Sequence, residues 1–273
     1  MHRRQALATL AAAPLWTQFR PVSIGCQTNA WKIEAAKLES SIAVWRTIRD
    51  LGYQGIETSF RNLEPHAAQA PAIRAELKSL GLTLFGVHIW LEKYDASTGL
   101  APAPLIAKTA KLAAAVGAER LILSGVPANF TAKSRALLET AQLCRDGKIG
   151  LAYHNHGPEW MGSEPELPRL MRATKGVEYL LDAGHAYRAG RDLAQLVAEH
   201  HRAIGSVHLR DFRGEQQVPL GQGQVNYAAM VRAFKNVRWR GWALAEEERA
   251  DGTKPGESAA RPARQHLRKL FGV

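Results

Sequence analysis

Residues 149–159 read Ile-Gly-Leu-Ala-Tyr-His-Asn-His-Gly-Pro-Glu, an apolar run that ends in two histidines and, beyond a turn, a glutamate. If the run is a β-strand, its period of two places His154 and His156 on one face and Asn155 on the other. Two imidazoles and the carboxylate of Glu159 at the end of a strand suit metal or acid/base chemistry. A polar loop explains the same residues equally well, so the other segments of the chain have to distinguish the two interpretations.

Similar apolar runs recur along the chain at intervals of about one βα unit, and segments with helical periodicity separate them. The candidate strands are Val22–Cys26, Gly55–Glu57, Leu82–His88, Arg120–Ser124, Ile149–His154, Val177–Leu181, Gly205–Leu209 and Trp242–Glu246. The clearest candidate helices are Leu38–Leu51, Leu105–Val116 and Asp192–His201. Alternating units of this kind predict an α/β fold with a parallel sheet, and eight of them predict a single (β/α)8 TIM barrel.

The N-terminal residues do not fit this pattern. Arg3 and Arg4 precede a short alanine-rich stretch with a small-x-small cleavage site at 11–13, which resembles a twin-arginine export signal. We therefore expect residues 1–20 to be an export signal, residues 21–273 to form the barrel, and the mature protein to be periplasmic. A frayed first helix on a cytoplasmic protein is the alternative.

Composition argues against several classes of partner. The chain has no apolar run long enough to span a membrane, and Cys26 and Cys144 are too far apart to indicate a disulfide framework. The formal net charge of +11 is dispersed, without a Lys/Arg stripe interleaved with aromatic residues. We expect a small-molecule partner, no nucleic acid and no membrane, and a homo-oligomer is compatible with the sequence.

Polar residues follow the predicted strands one after another, at the end of the barrel where such enzymes hold their active sites. Singly, each has a structural explanation, such as helix capping by Asp182 or a buried and satisfied His88. Together they form a ring of carboxylates and imidazoles. Without a cation, the carboxylates would repel one another, and their removal from water would cost free energy. The donor set predicts a divalent metal, with Mn²⁺, Mg²⁺ or Co²⁺ favoured and Zn²⁺ as an alternative. The residues are Glu57, His88, His154, His156, Glu159, Asp182, His185, His208, Arg210 and Glu246.

Six short motifs in order resemble the sugar phosphate isomerase/epimerase family of the xylose-isomerase-like TIM barrel superfamily, over about residues 21–273. The motifs are GYQGIE (52–57), YHNHxxE (153–159), LDAGH (181–185), VHLRD (207–211), PLGQG (219–223) and GWxxxE (241–246). The resemblance implies a divalent metal held by Asp182, His208, Glu246 and a strand-five residue. Many members have a glutamate at the position of His154, so Glu159 is the favoured fourth ligand here and His154 is the alternative.

The resemblance also implies a metal-dependent sugar isomerase, epimerase or related lyase that abstracts a proton next to a carbonyl of a sugar, keto-sugar or cyclitol. Glu159, Glu246 and His185 are the candidate catalytic residues. The candidate substrate-binding residues are Glu57, His88, His154, His156 and Arg210. Trp31, Trp90 and Trp160 follow strands and are candidates either for stacking on a sugar ring or for packing at the rim.

Two alternatives remain open from the sequence. One is a sugar-binding barrel without catalysis, and the other is a nuclease of the same superfamily that acts at abasic DNA sites. The nuclease would need a larger zinc set, and the order of the histidines does not match it. A phosphate-binding loop is not evident, although Gly221-Gln222-Gly223 leaves room for one.

Overall fold

A computed structural model describes residues 22–91, 103–126, 129–249 and 252–273. The predicted export signal at 1–20 lies outside these ranges. Within them, no helix is both long and apolar enough to cross a membrane. Cys26 and Cys144 are free and buried, as expected of thiols in a core.

Eight parallel strands close into a barrel in the order β1-β10-β7-β6-β5-β4-β3-β2, which confirms the predicted fold. All eight coincide with predicted strands to within two residues at either end. The barrel strands are β1 (Ser23–Gln27), β2 (Gly55–Ser59), β3 (Thr83–Trp90), β4 (Arg120–Ser124), β5 (Gly150–His154), β6 (Glu178–Asp182), β7 (Ile204–Leu209) and β10 (Trp242–Ala245).

Helices cover the outside of the barrel, and their apolar faces pack on the strands. Gly52, Gly81 and Gly117 each follow a helix and have positive φ angles, the left-handed conformation in which helices commonly end. The helices are α1 (Leu38–Asp50), α2 (Phe60–Leu63), α3 (Ala70–Ser79), α4 (Ala103–Val116), α5 (Phe130–Asp146), α6 (Glu166–Ala173), α7 (Ala183–Arg188), α8 (Leu193–His200), α9 (Tyr227–Asn236) and α10 (Glu257–Phe271).

The barrel interior has an apolar layer below a polar one. The apolar layer is a separate buried cluster, made of Phe85, Ile122, Ala152, Leu180, Trp242 and Leu244. Because side chains alternate along a strand, the residue two positions after an interior apolar residue faces inward as well. Ala152 is thus followed by His154, Leu180 by Asp182, and Leu244 by Glu246. Strand periodicity therefore places the polar layer at the carboxyl ends of the strands.

A short antiparallel hairpin, β8 (Asp211–Arg213) and β9 (Gln216–Val218), follows β7 and was not predicted. The carboxylate of Asp211 holds the loop after it, since it accepts the amides of Gly221 and Gly223 at 2.9 Å each and that of Val225 at 3.2 Å. These two glycine amides are therefore already used inside the protein and are not free to cradle a phosphate.

Candidate active site

Four side chains from β5, β6, β7 and the end of β10 converge inside the barrel mouth: His154, Asp182, His208 and Glu246. Each offers one ligand atom, and these atoms lie within 4.8 Å of one another. Nε2 of His154 is 3.1 Å from Nδ1 of His208, which in turn is 2.7 Å from Oε2 of Glu246. All four residues are buried. We call this group the inner cluster.

His208 is oriented from behind by Glu57. The Nε2 atom of His208 lies 2.6 Å from Oε2 of Glu57, which leaves Nδ1 facing the inner cluster. Glu57 also contacts Nδ1 of His88 at 3.0 Å, and the other nitrogen of His88 lies 2.7 Å from Oγ of Ser124. A carboxylate behind a histidine is the usual way in which proteins fix a metal-binding imidazole.

The charges of this group shift its pKa values strongly. Burial by itself lowers the pKa of His208, but the charges of Glu246 and Glu57 outweigh it and raise the pKa to about 10. Burial by itself raises the pKa of Glu57, but the charge of His208 and its hydrogen bond lower it to about 2. Burial lowers the pKa of His154 to about 4, so its imidazole is neutral at pH 7.

Arg210 neutralises part of the carboxylate charge. Its Nε lies 3.0 Å from Oδ2 of Asp182, and its Nη2 lies 2.5 Å from Oε2 of Glu246. Burial works against ionisation of Glu246, but the charges of Arg210 and His208 hold its pKa well below the usual range. The side chains of Arg210 and His208 therefore face the buried carboxylates of Glu57, Asp182 and Glu246.

The inner cluster fits a divalent cation. Among the described residues, the buried atoms Oδ2 of Asp182 and Oε2 of Glu246 make ion pairs with Arg210, and Glu246 also with His208, but they have no hydrogen bond of good geometry. Such atoms are costly to bury unless a cation or another partner satisfies them. Two carboxylates and two imidazoles form a mixed oxygen and nitrogen donor set of the kind found in divalent-metal sites.

Glu159, the favoured fourth ligand in the sequence analysis, lies elsewhere. Its carboxylate accepts the amide of His156 at 2.7 Å and the hydroxyl of Tyr153, and it pairs with Nζ of Lys133 at 3.3 Å. The alternation along β5 explains this position, because Tyr153 points outward where His154 points inward. The structure thus brings His154, and not Glu159, together with Asp182, His208 and Glu246.

The outer histidines line the mouth above the inner cluster. The ring centroid of His156 lies 4.8 Å from that of His154, 5.1 Å from that of His185 and 4.3 Å from that of Trp90. Burial and the neighbouring histidines lower the pKa of His156 to about 2. The backbone amide of His185 donates to Oδ1 of Asp182 at 2.8 Å. Both histidines therefore present neighbouring rings to the mouth.

Several residues have positions that differ from the sequence-based expectation. Glu57, expected to bind substrate, has no exposed surface and supports His208 instead. Arg210 is 8% exposed and is held by the inner cluster. Trp160 is fully buried, so it packs in the core and offers no face to a sugar, whereas Trp90 is 54% exposed.

Two residues that support the site, Asn155 and Lys133, were not predicted from the sequence. Asn155 accepts the amide of Asp182 at 2.9 Å through its side-chain oxygen and so ties the ends of β5 and β6 together. Its position between two histidines, directly after a strand, was the available signal. Lys133 lies on α5, and nothing local to its sequence indicates that it neutralises Glu159 and Glu166.

The profile of the family described as Xylose isomerase-like TIM barrel matches residues 45–270. The chain belongs to this family. The resemblance inferred from the six sequence motifs is thus confirmed, and the family match extends over the strands that carry the inner cluster.

Two curated relatives match the chain over part of their length. The rhizopine catabolism protein MocC of Rhizobium meliloti is 28% identical over 140 residues, which cover 44% of this chain and 43% of that protein. The inosose dehydratase of Geobacillus kaustophilus is 25% identical over 156 residues, with 49% and 50% covered. The chain thus matches about half the length of these relatives.

Among solved structures, the IOLI protein with a bound zinc atom superposes with a TM-score of 0.75 at 12% identity, covering 92% of this chain and 98% of that chain. At this level of identity, the likeness supports the fold.

Proposed function

We propose that the protein is a divalent-metal-dependent enzyme of the sugar isomerase, epimerase or related lyase type. Its substrate would be a sugar, keto-sugar or cyclitol whose proton next to a carbonyl is moved. The observation that carries the proposal is the convergence of His154, Asp182, His208 and Glu246 in one buried cluster at the barrel mouth. The names of the curated relatives, a rhizopine catabolism protein and an inosose dehydratase, are consistent with a cyclitol or keto-sugar.

In this proposal the inner cluster holds the metal, with His154 as the strand-five ligand. When bound, a divalent cation supplies Lewis-acid polarisation of a carbonyl and of the hydroxyl next to it. The presence of two imidazoles among the four donors favours Mn²⁺, Co²⁺ or Zn²⁺ over Mg²⁺, which prefers oxygen donors. Glu57 supports the site by keeping Nδ1 of His208 directed at the cluster.

The other polar residues of the mouth would orient the substrate and move the proton. Arg210, His88 and Glu246 line a cavity of about 200 Å³ above the inner cluster, which we call the inner cavity. The guanidinium of Arg210 can donate to a substrate oxygen while it stays paired with Asp182. The carboxylate of Glu159 is already bound to three groups of the protein, so it is a poor candidate for a base.

Proton transfer then falls to an imidazole, and His185 is our leading candidate, with His156 as the second. His185 lines the mouth next to His156, and its backbone amide is tied to Asp182, so its position is fixed relative to the inner cluster. A positioned imidazole can accept a proton from carbon and return it to a neighbouring atom. Replacement of His185 by Gln should abolish exchange while metal binding persists.

The remaining expectations belong to the same proposal. Export through residues 1–20 would place the enzyme in the periplasm, which favours a free or oxidised sugar over a phosphorylated metabolite. The use of the Gly221 and Gly223 amides by Asp211 points in the same direction. We take a small sugar as the partner in preference to nucleic acid or a membrane, and a homo-oligomer is compatible with the proposal.

Metal analysis followed by a deuterium-exchange panel tests this function. The purified protein is loaded with Mn²⁺, Co²⁺ or Zn²⁺, incubated in D₂O with keto-sugars and keto-cyclitols including inosose, and followed by NMR. We expect exchange at one carbon next to a carbonyl. Asp182→Asn keeps an acceptor that caps α7 but removes a carboxylate ligand, so it should lose metal and exchange together.

Three results would contradict the proposal. Full metal content and exchange in Asp182→Asn would exclude the inner cluster as the metal site. Ligand binding without exchange in every metal form would indicate a sugar-binding barrel without catalysis, and a salt-sensitive shift of abasic DNA would favour the nuclease.

A further inference from the structure

A second and larger cavity adjoins the inner cavity. It has a volume of about 680 Å³, and we call it the outer cavity. Trp90 and His156 line both cavities, so the two cavities are neighbours that share these side chains as a wall. The inner cavity, at about 200 Å³, lies below the ~300 Å³ at which pockets for drug-sized ligands begin. It therefore accommodates one small ring, whereas the outer cavity accommodates a further group.

The wall of the outer cavity is mainly apolar. Leu91, Val126 and Pro158 line it together with Trp90, whose side chain is 54% exposed although it is large and apolar. An exposed aromatic face inside a concave site is more often a binding surface than a packing element.

Trp90 is held in place from two sides. The ring of His156 meets it edge to face, with centroids 4.3 Å apart. On the other side the indole lies against Gly125, where an added Cβ would come within 2.8 Å of the ring. Gly125 also has a φ of +65°, so both the contact with the indole and the backbone conformation disfavour a side chain at this position. The indole is thus fixed before any ligand binds, which lowers the entropic cost of stacking on it.

Lys133 and Arg188, the lysine and arginine that line the outer cavity in the described part of the chain, are paired with carboxylates. Nζ of Lys133 lies 2.6 Å from Glu166 and 3.3 Å from Glu159, and it is only 7% exposed. Arg188 is paired with Glu215. A phosphate or carboxylate in this cavity would also meet the carboxylates of Glu159 and Glu166, which line it beside the paired Lys133, so an uncharged group is favoured.

We propose that the substrate is an uncharged glycoside with a ketone on its sugar ring, that this ring occupies the inner cavity, and that the aglycone is a flat ring with an apolar face that stacks on Trp90 in the outer cavity. An aromatic group and a second sugar ring share this chemistry, since both present an apolar face to an indole. The inference rests on the proposed function, because the sugar ring is taken to be the one at the inner cluster.

The test compares matched phenyl and methyl β-glycosides of glucose, galactose and xylose, with glucose 6-phosphate as the charged ligand. Binding to the Mn²⁺-loaded protein is measured by titration calorimetry or by saturation-transfer NMR. We expect the phenyl compound of at least one pair to bind about tenfold more tightly than its methyl counterpart, as expected for one aromatic contact. Maltose and cellobiose replace the phenyl glycosides in a second arm and distinguish a sugar aglycone from an aromatic one.

Trp90→Ala should reduce the phenyl-to-methyl ratio to about two or less without changing Mn²⁺ affinity. Met161→Ala is the matched control, because Met161 is an apolar side chain that is 67% exposed and lines neither cavity. It should keep the wild-type ratio. An equal affinity for phenyl and methyl glycosides, an unchanged ratio in Trp90→Ala, or tighter binding of glucose 6-phosphate would overturn the outer-cavity assignment.

These outcomes are separable from failure of the proposed function. If Mn²⁺ and the methyl glycosides bind but the phenyl group adds nothing, only the outer cavity is excluded as an aglycone site. If neither Mn²⁺ nor any glycoside binds, both the metal-dependent function and this inference are wrong.

Discussion

Acidification from about pH 8 to about pH 6 should weaken metal binding at the inner cluster about 100-fold, because a proton competes with the metal for His208. The charges of Glu246 and Glu57 raise the pKa of this histidine to about 10 in the absence of metal. At pH 8 and below, the imidazole is therefore protonated at both nitrogens. A metal that binds at Nδ1 must displace one of these protons.

The size of the effect follows from this competition. Below the pKa of His208, each unit of pH changes the apparent metal affinity by a factor of about ten, or about 1.4 kcal/mol. The sign is fixed, since the metal requires the deprotonated imidazole and affinity therefore falls as pH falls. His154 does not add to this slope, because burial lowers its pKa to about 4 and leaves it neutral over the same range.

Titration calorimetry with Mn²⁺ in buffers of different ionisation enthalpy measures both the affinity and the protons released. At pH 7 we expect about one proton per metal. An affinity that changes less than threefold between pH 8 and pH 6, without proton release, would refute the assignment of His208 as a protonated ligand. Glu159→Gln should keep the full pH dependence, because Glu159 lies outside the inner cluster. Glu57→Gln should reduce it, since it removes one of the two charges that hold the proton.

Three further predictions concern the ligands, the packing and the N-terminus. His154→Gln should lower Mn²⁺ affinity by about tenfold or more, whereas Glu159→Gln should change it less than twofold. A larger loss of affinity in Glu159→Gln than in His154→Gln, measured by calorimetry, would make Glu159 the ligand. Gly184→Ala places a Cβ 2.4 Å from Cγ of Arg210. We therefore expect the free energy of unfolding in urea to fall by about 1–3 kcal/mol and the activity to fall by a larger fraction. Unchanged values for both would show that α7 can shift. If residues 1–20 are an export signal, mass spectrometry of the periplasmic fraction should find a mature N-terminus between residues 14 and 19, and an intact N-terminus in the cytoplasm would exclude export.

Local pattern was enough to predict most of the barrel. Short apolar runs at intervals of one βα unit determine where strands form, and glycines such as Gly52 and Gly117 end helices through a conformation that other residues avoid. Because parallel strands of a barrel end on one face, the sequence also indicated that Asp182, His208 and Glu246 meet. These predictions depend only on residues that are close in the sequence, or on the general geometry of parallel barrels.

The roles of Glu57 and Glu159 could not be predicted in the same way. Each carboxylate had several plausible partners in the sequence, and the choice depends on residues far away along the chain. Glu57 meets His208 across the barrel, 151 residues later. Glu159 meets Lys133, which α5 carries on the outside of the barrel.

The stretch at 149–159 contains, within eleven residues, both a feature that the sequence determined and one that only the tertiary structure decided. Its sequence determined a strand in which Tyr153 and His154 face opposite sides, because alternation along a strand is a property of the backbone alone. Only the tertiary structure decided that His154 joins the inner cluster while Glu159 turns outward to Tyr153 and Lys133. The physical reason is that a buried carboxylate goes where a cation and hydrogen-bond donors satisfy it, and the packing of α5 against β5 supplies these for Glu159.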